Sequence, residues 1–257
     1  MSHFVHADRS ARAWTSVIAA LLEAPGRELV NLSVAIRDPL TECRAVTDQL
    51  DAFLDDQRRS RPSTPLHCVT TVANTIFPAA LYGPGRTDAR PRLYEARRRV
   101  ARRQKRLGKR RSESYFDRLI DYPSHPEPIN QLERVIDQLR HAREKGHQNG
   151  SLYELALFEA KRDARPQGFP CLSHVSLSLV AGTLHMTALY RNHYFLSRAY
   201  GNYVGLGRLL GFIGHESGYA PGELLCVSSH AKLDCGASDV KRLHQACLDA
   251  LSLEEAA

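Results

Sequence analysis

The sequence predicts an α+β fold in which helices pack against a mostly antiparallel sheet. In the carboxy-terminal half, polar and apolar residues alternate along two consecutive segments, a pattern typical of half-buried strands. Elsewhere, apolar residues recur every three or four positions, which is typical of amphipathic helices. The 257 residues are 43% hydrophobic, which is enough for a sizeable core. We expect one domain over residues 1–257, with a basic insertion at about residues 86–112.

The first third of the chain contains three patterned segments. Residues 13–24, AWTSVIAALLEA, have apolar side chains at helical spacing before a PGRE turn, so they predict a helix. Residues 29–36, LVNLSVAI, alternate like a strand that ends at RDPL. Residues 67–83, HCVTTVANTIFPAALYG, indicate a β-prone or mixed segment.

The formal charge of +7 and the pI of about 9.2 suggest an anionic partner such as a nucleic acid, a nucleotide or a membrane surface. Most of the excess lies in residues 86–112, which contain few acids and predict a basic helix or a mobile arm. Three roles are open for this insertion: a solvated surface, contact with nucleic acid, or an intersubunit or phosphate-binding surface.

The second half of the chain is more strongly patterned. Residues 128–146 place Leu132, Val135 and Leu139 on one face, which predicts an amphipathic helix that ends near Gly146. Residues 151–160 then lead into a loop rich in charge and proline.

Residues 171–192 predict a half-buried antiparallel hairpin with Gly182 in its turn. A two-residue loop brings seven apolar side chains onto one face. They are Val175, Leu177, Leu179, Leu184, Met186, Ala188 and Tyr190. Residues 201–218 predict a buried helix, residues 223–233 another strand, and residues 243–257 a final helix.

The six cysteines are spread through a long chain, whereas disulfide frameworks crowd short secreted chains, so we expect reduced thiols. No basic leader with a cleavage site and no membrane-length apolar stretch is present, which predicts a soluble cytosolic protein. Cys171 and His174, with Cys226 and His230, have spacings that could suit a metal. Zinc sites more often show paired cysteines, so we expect no metal.

Residues 169–202, FPCLSHVSLSLVAGTLHMTALYRNHYFLSRAYGN, resemble the catalytic segment of thymidylate synthase and its pyrimidine hydroxymethylase relatives. In that family a Pro-Cys opens a strand, a glycine-containing turn follows, an arginine comes twenty residues after the cysteine, and an asparagine comes eleven after the arginine. Cys171, Gly182, Arg191 and Asn202 reproduce these spacings. Weaker resemblance in four other stretches extends the match unevenly from about residue 28 to about residue 234.

The resemblance implies a bulged, mostly antiparallel sheet, a homodimer, and 5,10-methylenetetrahydrofolate as the donor of a one-carbon unit to C5 of a pyrimidine nucleotide or nucleoside. A thiolate that adds to C6 makes C5 nucleophilic, and a nearby guanidinium favours the thiolate. Cys171 is the expected nucleophile and Arg191 its electrostatic partner and phosphate ligand. Asn202 would read the amide edge of the base. The other expected site residues are His230, in a proton network, Tyr115, in an active-site loop, and Asn192, His193 and Lys232, which contact substrate.

The hairpin register constrains this site. In ideal strands, Cys171 and Arg191 point to opposite faces, and a β-bulge between them would bring them to the same face. The sequence also departs from the family pattern. Asn192-His193-Tyr194 replaces Ser-Cys-Asp, Lys232 replaces a tyrosine, and the family's paired arginines, its folate-pocket Glu and Trp, and its carboxy-terminal lid have no recognisable counterparts.

These departures indicate a divergent relative rather than a standard thymidylate synthase. The leading hypothesis is a transferase that adds a methyl or hydroxymethyl group to C5 through a Cys171 adduct at C6. Two alternatives are open: a catalytically altered homologue that binds a nucleotide or nucleic acid, and folate-independent chemistry at C5.

Overall fold

The computed structural model describes residues 2–60, 66–108, 113–146, 150–163 and 170–255. Seven strands form its sheet: His3–Arg9 (β1), Glu28–Asp38 (β2), Tyr153–Ala156 (β3), Leu172–Val180 (β4), Thr183–Tyr190 (β5), His193–Tyr194 (β6) and Ala220–Lys232 (β7). The α-helices are Ser10–Glu23 (α1), Arg44–Ser60 (α2), Val69–Ile76 (α3), Ala89–Arg106 (α4), Tyr115–Ile120 (α5), Gln131–Lys145 (α6), Ala160–Asp163 (α7), Tyr200–Ser217 (α8) and Ala237–Glu255 (α9). One turn of π-helix, Phe195–Ala199, precedes α8.

The sheet is mixed, with strand order β1-β2-β7-β5-β4-β3 and the short β6 beside β7. The expectation of a mostly antiparallel sheet was wrong. Among the described residues, β1 with β2, β5 with β7 and β6 with β7 are parallel, and the other three pairings are antiparallel. Parallel neighbours need a crossover connection, which α1 supplies between β1 and β2 and α8 supplies between β5 and β7. The fold class α+β, with an open sheet packed by helices, is as the sequence predicted.

The predicted hairpin of β4 and β5 is confirmed. Val175 lies opposite Ala188, Leu177 opposite Met186, and Leu179 opposite Leu184, so the apolar sets share one buried face. The turn residues Ala181 and Gly182 both have positive φ, 48° and 79°, as a two-residue hairpin turn between twisted strands requires.

The predicted β-bulge is also present, at the first residues of β4. Leu172 pairs with Tyr190 and His174 pairs with Leu189, so Ser173 is an extra residue without a pairing partner on β5. Because side chains alternate across a strand, one extra residue reverses the faces on which all preceding side chains lie.

Helices cover one face of the sheet and leave the other partly open. Leu184, Met186 and Ala188 are buried, whereas Leu189, on the alternate face, is 40% exposed. The buried core includes α1, whose Trp14 donates its indole N–H to the Phe195 carbonyl at 2.7 Å. Among the residues that the structure describes, no helix is both long enough and apolar enough to cross a bilayer.

The β-prone reading of residues 67–83 was wrong, because this segment forms α3. Its apolar side chains Val72, Ala73 and Ile76 recur at helical spacing and are buried. Helix α8 packs closely against them, and a Cβ added at Gly201 would lie 2.7 Å from Val72. Strand β1 and helix α2 have no counterpart in the sequence prediction.

The basic insertion forms a helix, α4, in its described part; residues 109–112 lie outside the described residues. The first half of α4 is attached to the body of the protein by ion pairs. Arg90 lies 3.0 Å from Glu133 and 3.1 Å from Asp137 on α6, and Arg97 lies 2.8 Å from Asp117 on α5.

Gly207 on α8 tests how closely this helix packs. A Cβ at Gly207 would lie 1.9 Å from the Pro39 carbonyl oxygen, and backbone cannot move away as a side chain can. We expect Gly207→Ala to lower the free energy of unfolding by about 2 kcal/mol or more in urea denaturation.

Gly211→Ala is the matched control on the same helix, because its nearest contact is the flexible Leu40 side chain at 3.4 Å. The gain in helix propensity should make this variant neutral or more stable by up to about 1 kcal/mol. Equal effects of the two substitutions would contradict the close packing of α8 against Pro39.

Candidate active site

A cavity of about 670 Å³ lies where the start of β4, the π-helical turn, α3 and the start of α5 meet. Five of the predicted site residues line it: Tyr115, Cys171, Asn192, His193 and Asn202. Arg191, His230 and Lys232 do not line it. The remaining wall is formed by Leu66, His67, Thr71, Val72, Thr75, Ser114, Tyr194, Ser197, Arg198 and Asp234.

Cys171 lies immediately before β4, half-buried, and the bulge decides what faces it. The regular register of the hairpin would place Asn192 opposite Cys171, whereas the extra residue Ser173 places Arg191 there. The Arg191 backbone N–H donates to the Cys171 carbonyl at 2.9 Å, and its Nε donates to the Pro170 carbonyl at 3.3 Å. The bulge thus brings the expected nucleophile and its guanidinium partner together.

The electrostatic environment of Cys171 contains two opposing effects. Burial raises the pKa of the thiol, while the positive charges of Arg191 and, to a smaller extent, Arg198 lower it. Burial has the larger effect, so the pKa of Cys171 lies above its ordinary value. Arg191 acts in the expected direction but does not by itself make Cys171 a thiolate.

Arg198 is a cavity residue that the sequence analysis missed. It lies in the π-helical turn Phe195–Ala199, and its positive charge also acts on His67 across the cavity. Asp234 holds this turn by accepting the backbone N–H of Leu196 at 2.9 Å. The sequence offered one indication of this residue, a single arginine within the mostly apolar run FLSRAYG. A single π-helical turn has no periodicity that the sequence could reveal.

Tyr115 lies beside Cys171, at the start of α5. Ser114 and Asp117 form a reciprocal capping box that begins this helix. The backbone N–H groups of Leu172 and Cys171 act to lower the pKa of the Tyr115 phenol, but more weakly than burial raises it. Burial and the neighbouring thiol raise the pKa of Tyr115 to about 12, so its hydroxyl is a neutral group next to the sulfur.

Asn202 is held in place by a buried chain of hydrogen bonds. Its Nδ2 lies 3.1 Å from Nε2 of His193, and Nδ1 of His193 lies 3.0 Å from Oγ of Ser228. The His193 ring also stacks on Tyr190 at 4.0 Å. Burial lowers the pKa of His193 to about 3, so the imidazole is neutral and can accept from Asn202 while donating to Ser228.

These hydrogen bonds place His193 behind Asn202. His193 is 1% exposed and both of its ring nitrogens bond to protein, an arrangement that can orient Asn202. The expected contact of His193 with substrate stays a prediction. With Nδ2 of Asn202 turned towards His193, the amide oxygen and the second N–H remain for a ligand. Ser228 was not anticipated from the sequence.

His230 and Lys232 form a second cluster that reaches the cavity through Asn192. Nδ1 of His230 lies 2.9 Å from Oδ1 of Asn192, and Nε2 lies 3.0 Å from Oε2 of Glu28. Lys232 donates to Oε1 of Glu28 at 2.5 Å. The bonds from Lys232 and His230 lower the pKa of Glu28. Glu28, which the sequence analysis missed, thus bonds to both His230 and Lys232, and the expected contact of Lys232 with substrate stays a prediction.

Within the described ranges, no cluster of three or more His, Cys, Asp or Glu side chains could hold a metal ion. His174 bonds instead to Glu154 of the neighbouring β3, and Ser176 donates to the same carboxylate at 2.7 Å. Cys226 is fully buried in β7.

The fold and cavity together describe an α+β protein with a mixed open sheet and a half-buried cysteine facing a cavity of small-molecule size. No family model matches the chain. Over 140 residues, 53% of this chain, the sequence is 27% identical to a protein of Methanocaldococcus jannaschii named "Putative thymidylate synthase". The match covers 63% of that protein, so the chain spans less than two thirds of this relative's length. This similarity supports a thymidylate-synthase-like relationship, at the level of the family only.

The buried neutral His193 predicts a pH dependence of stability. Between its folded pKa of about 3 and its ordinary value of 6.5, the unfolded chain binds a proton that the folded protein excludes. The free energy of unfolding should therefore fall as pH decreases below about 6.5, by up to about 1.4 kcal/mol per pH unit from this residue. Urea denaturation of wild type and His193→Gln at pH 4.5 to 7.5 measures this slope, and parallel curves for the two proteins would contradict it.

The two arginines near Cys171 predict the reactivity of its thiol. Arg191→Gln and Arg198→Gln should each raise the pKa of Cys171, Arg191→Gln by the larger amount, because each removes a charge that favours the thiolate. The rate of Cys171 alkylation by iodoacetamide, followed across pH by peptide mass spectrometry, reports that pKa. Arg140→Gln, on the exposed surface of α6, is the control for charge alone. If the alkylation rate of Arg198→Gln depends on pH as that of the control does, Arg198 does not influence the pKa of Cys171.

Proposed function

We propose that this protein is a thymidylate-synthase-like transferase that adds a one-carbon unit to C5 of a pyrimidine nucleotide or nucleoside. The observation that supports it is the convergence of Cys171, Tyr115 and Asn202 on one cavity of about 670 Å³, with Arg191 opposite the cysteine. A cavity of this size is typical of a small-molecule site.

In the proposed reaction, Cys171 loses its proton to solvent and its thiolate adds to C6 of the ring. The S–C6 bond forms as the C5–C6 π electrons move towards the C4 oxygen, which makes C5 a nucleophile. C5 then bonds to the carbon of a one-carbon electrophile at the oxidation level of formaldehyde, whose π electrons move onto its own heteroatom, and that heteroatom takes a proton from solvent. Loss of the C5 proton and breakage of the S–C6 bond restore the aromatic ring and the free thiol.

The residues around Cys171 suit this chemistry. The thiol begins with a raised pKa, so ionisation depends on Arg191 and Arg198. The neutral phenol of Tyr115 can donate to a developing negative charge near the sulfur. Arg191 is exposed and can also bind a substrate phosphate in bidentate fashion.

Asn202 is the proposed reader of the base. Its free amide oxygen and N–H can pair with the N3–H and O4 of a uracil-type edge, a match that a cytosine edge does not offer. The His193–Ser228 chain holds that orientation. We therefore favour a uracil-type substrate. Asn192, bonded to His230 at the cavity wall, is the proposed route by which His230 and Glu28 influence the site.

The one-carbon donor implied by the resemblance is 5,10-methylenetetrahydrofolate, but the described residues do not fit the family's way of holding it. The cavity wall contains no glutamate or tryptophan in the described ranges, and Trp14 is buried elsewhere. The final helix α9 packs on α1 and α2 and does not line the cavity, so it is no lid in this arrangement. We derive no step through folate.

A second candidate is folate-independent chemistry at C5, such as exchange or dehalogenation. The position of α9 away from the cavity favours it, because within the described ranges the final helix does not shield the site from water as a transfer reaction needs. Both candidates share the Cys171 adduct and differ in the second reactant.

The partly open face of the sheet supports the proposal of a homodimer. This face carries Val30, Val180 and Leu189, which are 40–59% exposed, and a second copy could cover it. All six cysteines are free, which suits a reducing compartment and the proposed cytoplasmic location.

The decisive experiment is intact-protein mass spectrometry after incubation with 5-fluoro-dUMP, 5-fluoro-UMP and their cytidine counterparts, with and without methylenetetrahydrofolate. Fluorine at C5 blocks the final loss of a proton, so a covalent adduct should accumulate on wild type and disappear in Cys171→Ser. Cys235→Ser is the matched control, because Cys235 is also half-buried but does not line the cavity.

An adduct that requires folate supports one-carbon transfer, and the nucleotide that forms it identifies base and sugar. An adduct that forms without folate supports the second candidate. If folded protein forms no adduct with any of these compounds, or forms one equally in Cys171→Ser, the proposed nucleophile is wrong.

A further inference from the structure

Helix α4 contains two kinds of arginine. One group has acidic partners. It comprises five arginines of α4 and one just before it: Arg90, Arg92, Arg97, Arg98, Arg102 and the preceding Arg86. Four others, Arg99, Arg103, Lys105 and Arg106, are exposed and have no acidic partner among the residues that the structure describes. The unpaired charges are therefore concentrated in the second half of the helix.

These cations are arranged around one space. Arg99, Arg103 and Arg106 follow the helical spacing that places side chains on a single face, over about 10 Å of helix. Together with Arg102 and Lys105 they line a surface depression of about 540 Å³. Like charges held on one face repel one another, and the nearest acid, Glu95, is bonded to Arg102 at 2.9 Å. A bound anion would relieve this repulsion.

We propose that this basic face, made of Arg99, Arg102, Arg103, Lys105 and Arg106, binds the phosphodiester backbone of a nucleic acid. The face is longer than a single phosphate group. Four of its five cations are arginines, whose planar guanidinium binds phosphate oxygens in bidentate fashion. The proposal does not depend on the function proposed for the cavity.

The chemistry of the helix favours a nucleic acid over a lipid surface. Membrane-surface helices present a large apolar face to the bilayer. In α4 the apolar side chains Leu93, Tyr94 and Ala101 are buried against the protein. Leu107 is exposed just after the helix, and one leucine gives too little apolar area to anchor a helix in lipid.

The helix that carries the basic face also contacts the cavity wall through a different residue, Arg97. Arg97 donates to Oγ of Ser114 at 3.1 Å, and Ser114 lines the cavity wall. Arg99 is two residues further along, about 3 Å in axial rise.

The test is fluorescence anisotropy of a labelled 20-nucleotide single strand with the full-length protein, from 50 to 200 mM salt. Four phosphate contacts predict a salt slope of about −3 for a single strand, which weakens binding roughly 50-fold over this range. In the variant Arg99→Ala/Arg103→Ala/Lys105→Ala/Arg106→Ala, we expect binding to weaken more than about tenfold at 100 mM salt and the slope to decrease by about 3.

The matched control removes the same charge elsewhere, in Arg37→Ala/Arg134→Ala/Arg140→Ala/Lys241→Ala. These four residues are also exposed and have no acidic partner within the described parts of the chain. This control variant should retain the salt dependence of binding seen with wild type. Thermal melting of both variants checks folding, since all eight positions are on the surface.

Three results would overturn the proposal. The first is wild-type protein that does not bind the strand at 50 mM salt, and the second is an equal loss in the control variant. The third is that tripolyphosphate or phosphatidylserine vesicles, at equal phosphate concentration, displace the labelled strand as effectively as unlabelled strand does. Vesicle competition of that strength would assign the face to a membrane instead.

Discussion

The arrangement of the candidate site depends on a single extra residue in one strand. Side chains alternate across a β-strand, so Ser173 reverses the face on which Cys171 lies relative to the regular part of β4. Without it, Leu172, which is buried opposite Tyr190, would turn to the other face of the sheet, and the thiol would lie opposite Asn192 instead of Arg191. The bulge thus places Leu172 in the core and also determines which charge acts on the cysteine.

The polar groups behind the cavity are organised by burial. Neutral His193 can hold Asn202 because the low-dielectric interior disfavours its proton, and the Tyr190 ring stacks against it. The same physical effect opposes the function proposed for Cys171, because burial also disfavours a thiolate. The guanidinium groups of Arg191, just after β5, and Arg198, in the π-helical turn, favour the thiolate and so counter that effect. The candidate site thus combines a fixed neutral amide, that of Asn202, with a thiol whose ionisation is set by a balance of charge and desolvation.

The basic insertion illustrates how one composition can serve two purposes. Ion pairs of Arg90 and Arg97 hold α4 against α5 and α6, at positions with little exposure to water. The outer residues Arg99, Arg103, Lys105 and Arg106 have no acidic partner among the residues that the structure describes, and they leave their charge on the surface. A count of charges treats both groups alike, and only the positions of Glu133, Asp137 and Asp117 separate them.

The sequence by itself determined the elements whose pattern is local. Alternation defined the hairpin of β4 and β5, helical spacing defined α1, α6 and α8, and the motif spacing identified Cys171, Arg191 and Asn202 as candidates. It also anticipated that a bulge would be needed, because residue parity is visible in the chain. What the tertiary structure decided depends on distant partners. The parallel pairing of β7 with β5, the helical state of residues 69–76 against the glycines of α8, and the roles of Arg198, Glu28 and Ser228 follow from contacts between segments far apart in the chain. Local propensity carries no information about such contacts, because packing and burial act only after the segments have come together.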